Sequence, residues 1–232
     1  MKLRRITAIF NKQIKDTLKN KTVLIQFVMF PVLSLIMQSA IKVEGMPKNY
    51  FVILFATMYI GMAPLTTMAA ILSEEKEKNT LRVLLMSNVK PAEYLIGVGT
   101  YIFLLCMLGA VVFGVVGQYH GKEMLQFMAI MGCGVLTSML IGAAIGTWCK
   151  NQMSATSITV PVMLIFAFLP MLGMFNETIG KVSEFVYSGQ INNLMNAIGA
   201  LAIGAKQLAV IVVNIGAVIV LFLMAYQRCG LD

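Results

Sequence analysis

The sequence predicts an all-α polytopic membrane protein with six transmembrane helices, and three observations carry that prediction. Of 232 residues, 59% are hydrophobic and only 12% charged, with a mean hydropathy of +0.83. Too few polar groups are present to cover the surface of a soluble domain. Six mainly apolar windows, each near the roughly 20 residues a bilayer-spanning helix needs, run over 22–41, 51–72, 94–117, 124–148, 155–175 and 207–227. The basic residues are also one-sided: thirteen lie on one side of the six-span arrangement, and five (Lys42, Lys48, Lys122, Lys181, Lys206) on the other. The positive-inside rule places the first side, with both termini, in the cytoplasm. This patterned net charge of +8 speaks for membrane orientation and against nucleic acid as a partner. Residues 1–232 then form a single transmembrane domain, with no room for a soluble one.

Each element follows in order. Over residues 1–21 a helical projection puts Leu3, Ile6, Phe10 and Ile14 on one face and Arg4, Lys12, Lys15 and Lys19 opposite. This is an amphipathic interfacial helix whose apolar face sinks into the leaflet, its basic face left for anionic lipid or a partner protein. The first window follows it without a cleavage pattern and reads as a retained span, not a signal peptide. Pro31 in span 1, and Gly61 with Pro64 in span 2, imply kinks buried in a bundle. Span 4 carries Gly142-Ala-Ala-Ile-Gly146, a small-xxx-small pattern suited to internal packing or to a dimer face. Span 5 carries Pro161 and Pro170. Residues 176–206 exceed a simple turn, with Ile179, Val182, Phe185 and Val186 at helical spacing, then Gly189 to Asn193, then an apolar run from Leu194 to Ala205. That run is too short to span, so two short re-entrant or interfacial helices are expected to cap the external end. Cys106, Cys133, Cys149 and Cys229 lack metal or disulfide spacing and read as small core residues.

The stretch between spans 2 and 3, residues 73–93, holds eight of the chain's 28 formal charges. Ser73 is placed to cap a helix with Glu74 and Glu75 in its first turn. Leu81, Leu84 and Leu85 recur at i, i+3 and i+4, an apolar ridge flanked by Lys78 and Arg82, and Pro91 opens the next helix. A solvated loop would leave that ridge exposed, so a cytoplasmic coupling helix is the better reading.

The run Glu74-Glu75-Lys76-Glu77-Lys78-Asn79-Thr80-Leu81, then Leu84-Leu85-Met86-Ser87-Asn88-Val89 and Glu93-Tyr94-Leu95, resembles the loop after the second span in ABC-2 type transporter permeases. A basic amphipathic N-terminus, Phe30-Pro31-Val32-Leu33, and Leu169-Pro170-Met171-Leu172-Gly173 before an external hairpin fit the same pattern. The resemblance covers nearly the whole chain. It implies the transmembrane subunit of a type V ABC exporter, in the plasma membrane (a bacterial inner or cell membrane), dimerised with a second copy or a paralogue. It implies that Glu74, Glu75, Lys78, Thr80, Leu81, Arg82, Leu84 and Leu85 couple to an ATPase. The chain has no G-x-x-x-x-G-K-[ST] loop, so ATP and Mg²⁺ are expected on a separate nucleotide-binding subunit and no cofactor on this one. The family's path, at the dimer interface between spans 2 and 5, gives Phe55, Met58, Tyr59, Met62, Met163, Phe166 and Met174 as candidate lining. Such methionine and aromatic side chains suit hydrophobic or amphipathic cargo: a peptide, a drug or a lipid-linked molecule.

Other classes fare less well. A secondary transporter usually places acidic residues or histidine within the bilayer, yet here every acidic residue falls in an expected loop or terminal segment. An enzyme needs convergent catalytic groups, and the single histidine, His120, has only Glu123 nearby in sequence. A peptide-sensing or self-immunity complex of the same fold stays open.

Overall fold

The structure is a computed structural model that describes residues 3–19, 21–41, 47–199 and 205–229. Among them are ten helices and no strand: α1 (Leu3–Lys19), α2 (Lys21–Ala40), α3 (Tyr50–Glu77), α4 (Thr80–Met86), α5 (Pro91–Val116), α6 (Lys122–Trp148), α7 (Gln152–Gly173), α8 (Glu177–Ser183), α9 (Tyr187–Asn196) and α10 (Ala205–Cys229). The helices α3, α5, α6, α7 and α10 are each long and apolar enough to cross a membrane, and α2 counts as a sixth when paired with α1 across a bend.

At the centre of the bundle is α3. It is apolar on every side, and a helix of that kind is buried by its neighbours, here α2, α5, α6 and α7. Its 28 residues give about 42 Å of rise against a hydrocarbon layer of about 30 Å. The excess lies in the polar turns after Leu72.

Close helix approach is set by glycine. A Cβ on Gly146 would come within 2.7 Å of the Leu72 side chain, and one on Gly142 would collide with the Leu65 carbonyl. The small-xxx-small face of α6 is therefore internal, spent on packing against α3 and not on a second copy. Tyr59 sits in an aromatic cluster with Phe27 and Phe30 of α2 and Phe113 of α5, at ring separations of 6.3, 6.3 and 5.5 Å.

Three sequence expectations need correcting here. The inner face of α1 is Ile9, Gln13 and Thr17, with Ile6, Phe10 and Ile14 half-buried beside it, and it lies on α5. Protein, not the leaflet, covers that face, while Leu3 stays exposed. Second, α9 begins at Tyr187, seven residues before Leu194, so Gly189 to Asn193 are helical. Most of α9 is buried against α3, α6, α7 and α10, leaving α8 on the surface. The remainder of the expected apolar run, 200–204, lies outside the described residues, as do 1–2 and 42–46. Third, Cys106 and Cys149 are buried as expected, but Cys133 is exposed.

Candidate functional site

The end of the bundle that carries α4 gathers the charged residues. Ser73 does not cap a new helix there. It lies inside α3, its hydroxyl donating back to the Ala69 carbonyl at 2.8 Å, so Glu74 and Glu75 sit in the last turn of α3, not in a first turn. Carboxylates are unfavourable at a helix C-terminus. Each is compensated by a cation: Glu74 pairs with Lys78 one turn on, and Glu75 with Lys12 of α1 at 2.7 Å. Glu74 in turn raises the pKa of Lys78 above its ordinary value.

Four consecutive side chains of α3 reach four different places, because successive helical residues point about 100° apart. Glu74 meets Lys78. Glu75 accepts from Lys12 and Gln13 of α1, with the buried Tyr94 of α5 beside the same carboxylate. Lys76 donates to the Thr147 carbonyl at 2.7 Å, one of the carbonyls left over at the end of α6. Glu77 accepts from the Gln152 N–H at 2.8 Å, an unpaired donor at the start of α7. The end of α3 is thereby a hub fastened to α1, α6 and α7.

Past the hub, Asn79 adopts a left-handed conformation (φ 56°), tolerable for asparagine, and turns the chain into α4. Thr80 donates its hydroxyl to the Glu75 carbonyl at 3.1 Å. The inward side of α4 is Leu81, fully buried, with Leu84 and Leu85 half-buried against the core. The leucine ridge thus faces this chain's own bundle, and the outward face of α4 is Arg82, Val83 and Met86, the last two 65% and 80% exposed. Asn88, again left-handed (φ 68°), leads out of α4. Glu93 forms a capping box at the start of α5 and is 1% exposed, paired with Arg5 of α1 at 3.3 Å. Arg5 also donates to the Asn88 carbonyl. Arg5 and Lys12 are seven residues apart on one helix, about 10.5 Å. One helix, α1, therefore grips the chain just before α4 and just after it.

Sequence reasoning placed Glu74, Glu75, Lys78, Thr80, Leu81, Arg82, Leu84 and Leu85 here, but missed Arg5, Lys12, Gln13, Lys76, Glu77, Val83, Met86 and Glu93 as parts of the site. The ion pairs span 63 and 88 residues, beyond any local pattern. The buried face of α1 was legible in principle from Ile9, Gln13 and Thr17 at i, i+4, i+8.

The other sequence-derived site is the seam of α3 and α7. A Cβ on Gly61 would lie 2.8 Å from the Ala167 nitrogen, so the two backbones touch at mid-span. Phe55, Met58 and Met62 of α3, and Met163 and Phe166 of α7, are half-buried, while Met174 is exposed just past α7. Tyr59 is fully buried in its aromatic cluster, its hydroxyl reaching the Cys106 carbonyl, and lines no seam. Toward the α4 end an open groove of about 800 Å³ is lined by Glu77, Gln152, Met153, Thr156, Ser157, Val160 and Pro161. No group of three or more metal-ligating side chains is present among the described residues.

Over the described residues the chain is an all-helical bundle with five to six candidate membrane spans and a short helix, α4, braced at its polar end. Residues 4–226 match the family described as ABC-2 family transporter protein, and the chain belongs to that family as an ABC transporter permease. No curated protein matches the chain significantly.

Proposed function

We propose that the chain is the permease subunit of an ATP-driven exporter. The α4 end faces the cytoplasm, as the excess of basic residues there requires. A separate nucleotide-binding subunit carries ATP and Mg²⁺, and a second permease, a copy or a paralogue, completes the transport unit. The observation that carries this reading is the two-sided character of α4: Val83 and Met86 stand out from a helix whose other face and both flanks are bound to α1, α3 and α5. Exposed apolar side chains on a braced element fit a protein partner at this polar end of the bundle. A push on α4 reaches α3 through the Thr80 bond to the Glu75 carbonyl and passes on to α1, α6 and α7 through Glu75, Lys76 and Glu77.

The cargo is a hydrophobic or amphipathic molecule that loads at the open groove beside Gln152 to Pro161 and moves along the α3–α7 seam. The groove joins Met153, Val160 and Pro161 to Thr156, Ser157 and Glu77, a mixed lining that suits molecules with one apolar and one polar side.

The test is reconstitution with a partner ABC ATPase subunit. The complex is expected to hydrolyse ATP faster when cargo is added, and V83D/M86D to lose both partner and stimulation while folding normally. An intact complex with unchanged stimulation in that variant would remove α4 from the coupling role.

A further inference from the structure

Pro64 costs α3 one hydrogen bond. Proline has no backbone N–H, so the carbonyl four residues earlier, that of Ile60, loses its helical donor. A donor from another helix replaces it: Ser138 Oγ of α6 bonds the Ile60 carbonyl at 2.6 Å. The hydroxyl of Tyr187 lies 2.6 Å from that same serine oxygen. Serine has one hydroxyl proton and a carbonyl can only accept, so the Ser138 proton goes to Ile60 and Tyr187 must donate to Ser138. The direction of the chain is fixed: Tyr187 to Ser138 to the proline kink of α3. Ser138 and Tyr187 are 0% and 1% exposed, so water does not substitute for either bond.

Tyr187 is the first residue of α9. The hairpin it belongs to is pinned twice more, by Asn192 Nδ2 to Thr57 Oγ1 of α3 at 3.1 Å and by Asn214 Nδ2 of α10 to the Phe185 carbonyl at 3.0 Å. The Tyr187 ring also lies 4.9 Å from that of Phe166 in α7, at the seam. Three spans thus send polar groups to one short hairpin, and one of those links ends on the α3 main chain where its helical bonding is interrupted. Hydrogen bonds of 2.6 Å are lost beyond about 3.5 Å, so a shift of about 1 Å in α3 at the kink breaks the chain.

We propose that Tyr187 is a positioning residue for transport: its hydroxyl, acting through Ser138, holds the α8–α9 hairpin down while α3 keeps its resting kink, and releases it when the kink changes. The latch itself does not depend on the exporter reading; only the source of the motion, ATP turnover at the far end of α3, rests on it.

The test uses Ser188→Cys, a near-isosteric probe on the buried underside of α9 whose serine hydroxyl has no hydrogen-bond partner. The complex with its ATPase is placed in nanodiscs and labelled with a hydrophilic maleimide, the chain without the added cysteine giving the background. Without nucleotide, S188C is expected to label slowly, S188C/Y187F roughly three- to tenfold faster through the loss of one membrane hydrogen bond, and S188C/S138A at least as fast as S188C/Y187F, because it removes both bonds of Ser138. Phenylalanine keeps the ring against Phe166, so a purely packing role predicts no change in Y187F, and that result overturns the proposal. Adding ATP is expected to raise the S188C rate and to leave Y187F near its already raised rate. A faster Y187F with no response to ATP in either variant keeps the latch and removes the ATP-driven reading instead.

Discussion

Lys12 Nζ lies 2.7 Å from Glu75 Oε1, and Gln13, next along α1, donates to the same oxygen at 2.9 Å. A carboxylate 9% exposed is costly to bury alone, and the two donors offset that burial. Lys12→Met is expected to destabilise the subunit by about 1 to 3 kcal/mol, because Glu75 keeps Gln13 but loses its counter-charge. Thermal unfolding in detergent measures this. The double variant K12M/E75L should recover part of the loss, and strict additivity would show that the pair does not interact.

The two faces of α4 separate binding from folding. V83D and M86D alter exposed positions and should cost less than about 0.5 kcal/mol of stability while weakening ATPase capture in a pull-down at least tenfold. Leu81→Asp buries an unpaired charge at a fully enclosed position and should prevent accumulation of folded protein. Equal expression of L81D and V83D would contradict the orientation of α4.

Lys78 and Glu74 form an exposed i, i+4 pair that solvent screens, so it adds little to stability. Lys78→Ala should leave both melting temperature and cargo-stimulated ATPase nearly unchanged. A large loss of stimulation without a change in stability would place Lys78 on the partner's surface instead.

Gly142→Leu should fail through packing inside one subunit. The added side chain meets the α3 backbone at Leu65, so overpacking of about 1 to 3 kcal/mol or more is expected. Its signature is a lowered melting temperature in the isolated chain, at any protein concentration. A variant that melts normally yet changes oligomeric state would return this face to an intersubunit role.

The spans were legible because length and hydropathy are local properties, and a helix such as α5 or α6 satisfies them wherever it packs. The coupling segment was half legible. Ser73-Glu74-Glu75 has the look of a helix start, but a serine inside an apolar helix can bond back to its own fourth preceding carbonyl, as Ser73 does with Ala69. The actual break is Asn79, whose left-handed backbone leaves no mark in the hydrophobic pattern. The leucine ridge of α4 was found correctly as a ridge and assigned to the wrong surface, since periodicity identifies a buried face but not what buries it. Gly189, set by the sequence pattern between two helical runs, lies inside α9 as a packing residue, its missing Cβ leaving room for the Ser183 carbonyl. Tyr187, Ser138 and Ile60 join only when three distant segments meet, and the proline that prepares their contact was visible only as a kink.

The touch between Gly61 and Ala167 gives α3 a fulcrum. From Gly61 to Glu77 the helix runs 16 residues, roughly 24 Å, and from Gly61 back to Tyr50 it runs 11, roughly 17 Å. Rocking about that point turns a displacement at the hub into a smaller, opposite displacement at the far end, reduced to about seven-tenths. In the proposed exporter, a lever of these proportions trades travel for force.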